Sequence, residues 1–163
     1  MSSTGDAHLS AAHEYILWIL PFAFALHVVE ERVLGFVPWA QRLLQPLGLR
    51  MEWSDFFMAN AAVLVWGICA AAVGWRQPGF SLSFPVMMLW NPVFHVAASL
   101  VRMELSPGVF TGVLVYVPLS LWTLYGARRD GVLTRRSVIL AAGVNLALLV
   151  GGLAGYLAMH QSS

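Results

Sequence analysis

Charge is what this 163-residue chain has least of: 10% of its residues are Asp, Glu, Lys or Arg, while 59% are hydrophobic and the mean hydropathy is +0.73. A soluble domain carries about 25% charge, so an ordinary water-soluble globule is excluded. Lysine is missing altogether, all nine cations are Arg, and the formal net charge is +1. No basic stripe exists to neutralise phosphates, which argues against a nucleic-acid partner. The single cysteine, Cys69, excludes an internal disulfide and, lying in an apolar run, reads as a packing residue. A cleaved secretory leader is not expected. "AFA" at Ala23 to Ala25 resembles a signal-peptidase site, but the first fourteen residues hold no Arg or Lys to form a positive n-region.

Five apolar segments are present, each near the roughly 20 residues needed to cross a bilayer: Tyr15 to Val37, Phe56 to Trp75, Gly79 to Val101, Pro107 to Ala127, and Ser137 to Met159. Too few polar residues remain to cover them in water. The expectation is an all-α fold, a polytopic membrane helix bundle of five transmembrane helices forming a single integral membrane domain over residues 1–163. Met1 to Ala11 and the terminal "QSS" read as polar tails, and His8, His13 and His160 as solvent or interface residues. Pro38 to Ser54 mixes Trp39 and leucines with Gln, Arg and Pro, as suits an interfacial segment, and Pro46 argues against one long helix there. Pro21, Pro85, Pro92 and Pro118 fall inside spans and predict kinks. Gly108 and Gly112, like Gly151 and Gly155, have the spacing that lets helices pack closely. Five spans put five Arg on the N-terminal side and four on the other, a small bias toward an N-terminus in the cytoplasm.

Within these apolar runs the polar residues coincide in depth. At 1.5 Å per residue, His27 lies about 18 Å and Glu30 and Glu31 about 22 to 24 Å from the N-terminal side, while Asn91 lies about 18 Å and His95 about 24 Å along the third span. Asn60, entered from the opposite side, comes to about 24 Å. At 100° per residue, Glu30 and Glu31 flank His27 on one helix face, and Asn91, His95, Ser99 and Arg102 form one stripe. Arg102 is placed at the mouth of the site, and Trp90, next to Asn91, in its lining. Ionised groups in a bilayer cost about 2.5 to 3.5 kcal/mol each, so the cluster must be neutral, paired or liganded.

His27, Glu30, Glu31 and His95 form a competent ligand set for a divalent metal, Zn or Fe. They are equally the residues for metal-free acid–base catalysis by a carboxyl and an imidazole. No HExxH, no second ExxH and no multi-His box of the desaturase kind accompanies them. The reading that follows is an enzyme of isomerase, cyclase or hydrolase type. Its substrate is a hydrophobic small molecule with a lipid-like or isoprenoid-like body, held by Asn60, Asn91, Trp90 and Arg102 and by apolar residues such as Met87, Met88 and Phe94. Two alternatives stay open. One is a metal-ion or proton-coupled transporter, for which a homo-oligomer would provide a path, since no internal repeat is detectable. The other is a polar cluster that holds helices together without catalysis, surrounded by membrane lipids.

"HVVEE" at His27 to Glu31, "DFFMAN" ending at Asn60, "NPVFH" ending at His95 and "LSPGVFTGVLVYVPL" at Leu105 to Leu119 resemble the HXXEE family of small bacterial membrane proteins. The resemblance covers about Leu17 to Leu119. It implies a polytopic protein of a bacterial plasma membrane and singles out His27, Glu30, Glu31, Asn60, Asn91 and His95. It supplies no substrate, because that family is generally described as of unknown function.

Overall fold

The computed structural model describes residues 12–160, and all regular structure among them is helical. The tails and His8 lie outside the described residues. A 3-10 turn at Glu14–Trp18 runs into α1 (Ile19–Val33), followed by α2 (Phe36–Leu44), α3 (Trp53–Val73), the single turn α4 (Pro78–Ser81), α5 (Ser83–Arg102), α6 (Val109–Arg129) and α7 (Arg135–His160).

Local chemistry sets the ends of these helices. Glu52 and Asp55 form a reciprocal capping box at the start of α3, and Gly74, at φ +59°, closes it. Thr134 and Ser137 cap the start of α7 through mutual backbone and hydroxyl bonds of 2.8 and 3.1 Å. At the start of α6 stands Gly108, at φ +98°, in the left-handed region where a Cβ is unwelcome.

Among the described residues, four helices are long and apolar enough to cross a membrane: Trp53–Arg76, Pro78–Arg102, Val109–Arg129 and Arg135–Ala158. The first expected span differs. It ends at Val33 rather than Val37, because Gly35 takes φ +77° and redirects the chain into α2. α1 alone is 15 residues, about 22 Å; with the 3-10 turn before it the segment reaches about 32 Å.

That segment runs alongside the whole of α6, tied at both ends. At one end the His13 N–H and ring Nδ1 meet the Asp130 carboxylate at 2.9 and 2.7 Å, and the Trp75 indole donates to the same carboxylate at 3.0 Å. At the other, Glu30 reaches the first residues of α6. His13, expected at the surface, is therefore a half-buried tie. Burial pushes the Asp130 carboxyl up, but the bonds from His13 and Trp75 outweigh it and hold the group below its ordinary range.

The core between α1, α3, α5 and α6 is built from Leu20, Phe24, Phe84, Met88 and Tyr116. In a bilayer such packing gains dispersion contacts rather than relief from water. Asn145 pins α7 to α5 by donating to the Ser83 carbonyl at 2.9 Å, while the Trp66 indole of α3 donates to the Ser83 hydroxyl at 3.1 Å.

Several expectations need correction. Of the four prolines, Pro92 lies inside a helix; Pro21 and Pro85 occupy first turns of α1 and α5, where the missing N–H has no helical partner to lose. Pro118 follows a π-helical stretch, Gly112–Tyr116, at which regular α geometry is reset. Cys69 is exposed on α3 rather than packed. Gly112 packs against Pro92, but a Cβ on Gly151 or Gly155 would meet open space. The Pro38 to Ser54 segment, by contrast, is interrupted at Pro46 as expected: α2, with Trp39 and Ala40 buried, gives way to a 3-10 turn at Gln45–Leu47.

Candidate metal centre

The HxxEE run divides its work by helical angle. His27 and Glu31 are four residues apart and so share a face of α1, which turns inward; both are buried. Glu30, one residue away, points along the bundle to the start of α6. There the N–H groups of Gly108 and Phe110 donate to its Oε1 at 3.1 Å each, and that of Thr111 donates to Oε2 at 2.7 Å. These are the N–H groups that a helix start leaves without partners, and a carboxylate facing the positive end of the helix dipole is stabilised there. Glu30 is thus the cap of α6, supplied from another helix.

The inward face meets α5. His27 Nε2 lies 3.5 Å and His95 Nε2 3.4 Å from Glu31 Oε1, and the two imidazoles are 5.1 Å apart by centroid, edge to face. All three residues are at least 95% buried. The outer nitrogens are anchored by hydroxyls: His27 Nδ1 to Thr111 Oγ1 at 2.7 Å, His95 Nδ1 to Ser106 Oγ at 2.8 Å. Ser106 donates its own proton to the Pro107 carbonyl at 3.3 Å, so toward His95 it accepts. With that proton placement His95 donates from Nδ1, which leaves Nε2 to face Glu31. Outer-nitrogen anchoring of this kind fixes ring orientation and tautomer in metal-binding histidines.

The separations are informative. At 3.4 and 3.5 Å the N···O contacts are longer than good hydrogen bonds, and His27 Nε2 is a buried nitrogen without a partner. Two ligand atoms each about 2.0 to 2.1 Å from a tetrahedral ion are roughly 3.3 to 3.4 Å apart. One ligand atom from each of His27, Glu31 and His95 lies within 4.8 Å of the others, so the group can hold a metal ion. Gly108 covers it: a Cβ there would come within 2.7 Å of Cε1 of both imidazoles. The Tyr116 ring lies on His27 at 4.6 Å, and its hydroxyl is buried without a partner.

The other expected residues are not gathered here. Asn60 donates to the Phe56 carbonyl of its own helix at 2.9 Å. Asn91 lies one turn below His95, against Gly112, with a buried Oδ1 that has no partner. Trp90 is 67% exposed and lines an apolar groove with Met87, Trp66 and Asn145. Arg102 is exposed at the end of α5, Phe94 is half exposed, and Met88 belongs to the core. Arg32 stacks on Trp53 at 4.3 Å, and Glu104 pairs with Arg42 at 2.6 Å.

Sequence reasoning missed Ser106, Gly108, Thr111 and Tyr116 as parts of the site. The available signal was the Ser-Pro-Gly run before a long apolar segment, with a hydroxyl and a phenol following within it.

No curated protein and no solved structure matches the chain. The profile of a protein family of unknown function with the HXXEE motif matches residues 18–123, which take in α1 to α5 and most of α6 with every residue of the centre. Because that match covers well over half of its length, the chain belongs to the HXXEE family.

Proposed function

We propose that this is an integral membrane protein with five crossings whose His27, Glu31 and His95 bind one divalent metal, Zn or Fe, for chemistry on the polar head of a lipid-like or isoprenoid-like molecule. The observation that carries the reading is the convergence of two imidazole nitrogens and one carboxylate oxygen at ligand-shell spacing, each outer nitrogen held by a hydroxyl. Three protein ligands leave a fourth position for water or substrate, the pattern of catalytic rather than structural zinc. The fifth crossing is supported by the 3-10 turn and α1 running the length of α6 between the Asp130 and Glu30 ties. Intramembrane ionisable residues are functional by default. In the metal-free alternative Glu31, set between two imidazoles, is instead the acid–base group.

Metal analysis of the full chain purified in mild detergent tests this. The expected result is one Zn or Fe per chain, lost in His27→Ala, His95→Ala and Glu31→Gln. A metal-free wild type that still converts a co-purified amphiphile would replace the metal with acid–base work by Glu31. His27-dependent metal or proton flux in proteoliposomes, with no amphiphile converted, would replace the enzyme with a transporter. Labelling at Ser2 and Ser163 is expected on opposite membrane faces; labelling on one face would remove the fifth crossing.

A further inference from the structure

Two neighbouring rings, 4.6 Å apart by centroid, each carry a buried polar atom without a hydrogen-bond partner: His27 Nε2 and the Tyr116 hydroxyl. A bound metal would satisfy the first and not the second. A fully buried phenol O–H without a partner is costly, and such groups persist where an ion, water or ligand completes them. Tyr116 is fully buried with its ring against His27.

Its placement needs a departure from α geometry. In an α-helix two residues five apart point about 140° from one another. Thr111 and Tyr116 are five apart, and both contact His27, the first through Nδ1 and the second through its ring face. The intervening Gly112–Tyr116 stretch is π-helical, and bonding from i to i+5 brings residues five apart nearly into line. The turn thus sets a hydroxyl and a phenol on the same imidazole. Such π turns occur frequently at functional sites.

We propose that Tyr116 is a ligand-binding residue of the metal centre: its O–H donates to an acceptor oxygen, of carboxylate, phosphate or carbonyl type, on the ligand head seated beside His27, Glu31 and His95. This rests on the metal reading and deepens it by naming the head group. In a buried site a preplaced donor acts strongly on an oxygen bearing negative charge. A purely hydrocarbon ligand would leave the phenol unpaired and is disfavoured.

The test uses the full chain in detergent, loaded with Co2+ and titrated with acetate, read by the visible cobalt bands. Tyr116→Phe keeps the ring, so its Co2+ affinity is expected within about threefold of wild type, while acetate binds about tenfold or more weakly, as loss of one hydrogen bond to a charged group implies. Acetate should also perturb the near-ultraviolet phenol absorption of the wild type. Equal acetate affinity in Tyr116→Phe, or a wild type that loads Co2+ but takes no acetate, overturns the inference and leaves the metal reading intact. So does an unchanged phenol spectrum in the acetate-bound wild type, a measurement that stands even if the variant fails to fold. A wild type that loads no Co2+ overturns both.

Discussion

Gly108→Ala places a methyl group where two imidazoles already are. The new Cβ would lie 2.7 Å from Cε1 of His27, 2.7 Å from Cε1 of His95 and 3.0 Å from His95 Nε2. Neither ring is free to retreat, because each is held by a hydroxyl at its far nitrogen and by Glu31 between them. The backbone adds to the cost. At φ +98° an L-residue is strained by about 1 to 2 kcal/mol, and overpacking a rigid site costs about 1 to 3 kcal/mol more. The sum, about 2 to 5 kcal/mol, falls on the centre itself. The expected phenotype is a lower thermal midpoint in detergent together with loss of most of the bound metal. Two other glycines calibrate the assay. A Cβ on Gly112 would meet Pro92 Cβ at 3.3 Å from a helical backbone, so Gly112→Ala should be mild; Gly151 faces open space, so Gly151→Ala should be neutral or stabilising by about 0.5 to 1 kcal/mol. If Gly108→Ala melts and binds metal as Gly112→Ala does, Gly108 does not cover the imidazoles and the geometry of the site is wrong.

Further outcomes follow from the same geometry. Glu30→Gln and Glu31→Gln should separate: the first weakens the cap of α6 and costs about 0.5 to 2 kcal/mol with metal retained, the second abolishes metal binding with smaller loss of stability, and a reversed pattern on metal analysis would reassign the two carboxylates. Thr111→Val and Ser106→Ala, which remove the bonds to the outer nitrogens of His27 and His95 and not the metal-facing ones, should each lower metal affinity about 10- to 100-fold in a competition titration; unchanged affinity would show that the hydroxyls do not orient the rings. At the opposite end, the Asp130 carboxyl is held below its ordinary value of 3.8. Its tie therefore contributes stability that is present above about pH 4 and is lost as pH falls through the depressed value. A melting series should show wild type losing midpoint below about pH 4 and Asp130→Asn already low and flatter there; equal acid sensitivity in both would remove the tie from the account.

The sequence carried the axial coordinate of the site and much less of its azimuth. Counting 1.5 Å per residue brought His27, Glu31 and His95 to one level, and they do meet. The same count brought Asn60 to that level, yet its amide bonds back to Phe56, because depth does not fix how a helix is rotated about its own axis. Angles helped within a helix: the i, i+4 pair His27 and Glu31 faces inward as 100° per residue requires. Trp90 shows the reverse, five residues from His95 and so about 140° around the helix, directed outward; Arg102 shares the angle of His95 but is exposed at the end of α5. The five apolar runs were legible as helices, while the end of the first was set by a left-handed Gly35 that hydropathy does not register. The anchoring hydroxyls were hidden for a different reason. Ser and Thr in membrane helices commonly bond the preceding turn, as Ser99 and Thr123 do here, so nothing in their identity marks the two that instead hold imidazoles.

That difference explains why the two adjacent glutamates are not interchangeable. A helix start brought into an apolar environment must satisfy its first N–H groups, and the Ser-Pro-Gly turn before α6 supplies no side-chain cap of its own. Glu30 supplies it from α1, and in doing so fixes the position of Gly108 over the rings and of Thr111 against His27. The cap and the centre are therefore one mechanical unit: the carboxylate that binds no metal sets the distance between the residues that do. Shortening it to Asp should leave the charge but pull the start of α6 toward α1 by about one methylene, a displacement of order 1 Å delivered directly to the Thr111 and Gly108 contacts. Glu30→Asp is thus expected to impair metal affinity more than Glu30→Gln, which keeps the reach and loses the charge. Metal affinity that instead tracked charge, with Asp equal to wild type and Gln poor, would show that Glu30 acts on the centre through its field rather than through the position of α6.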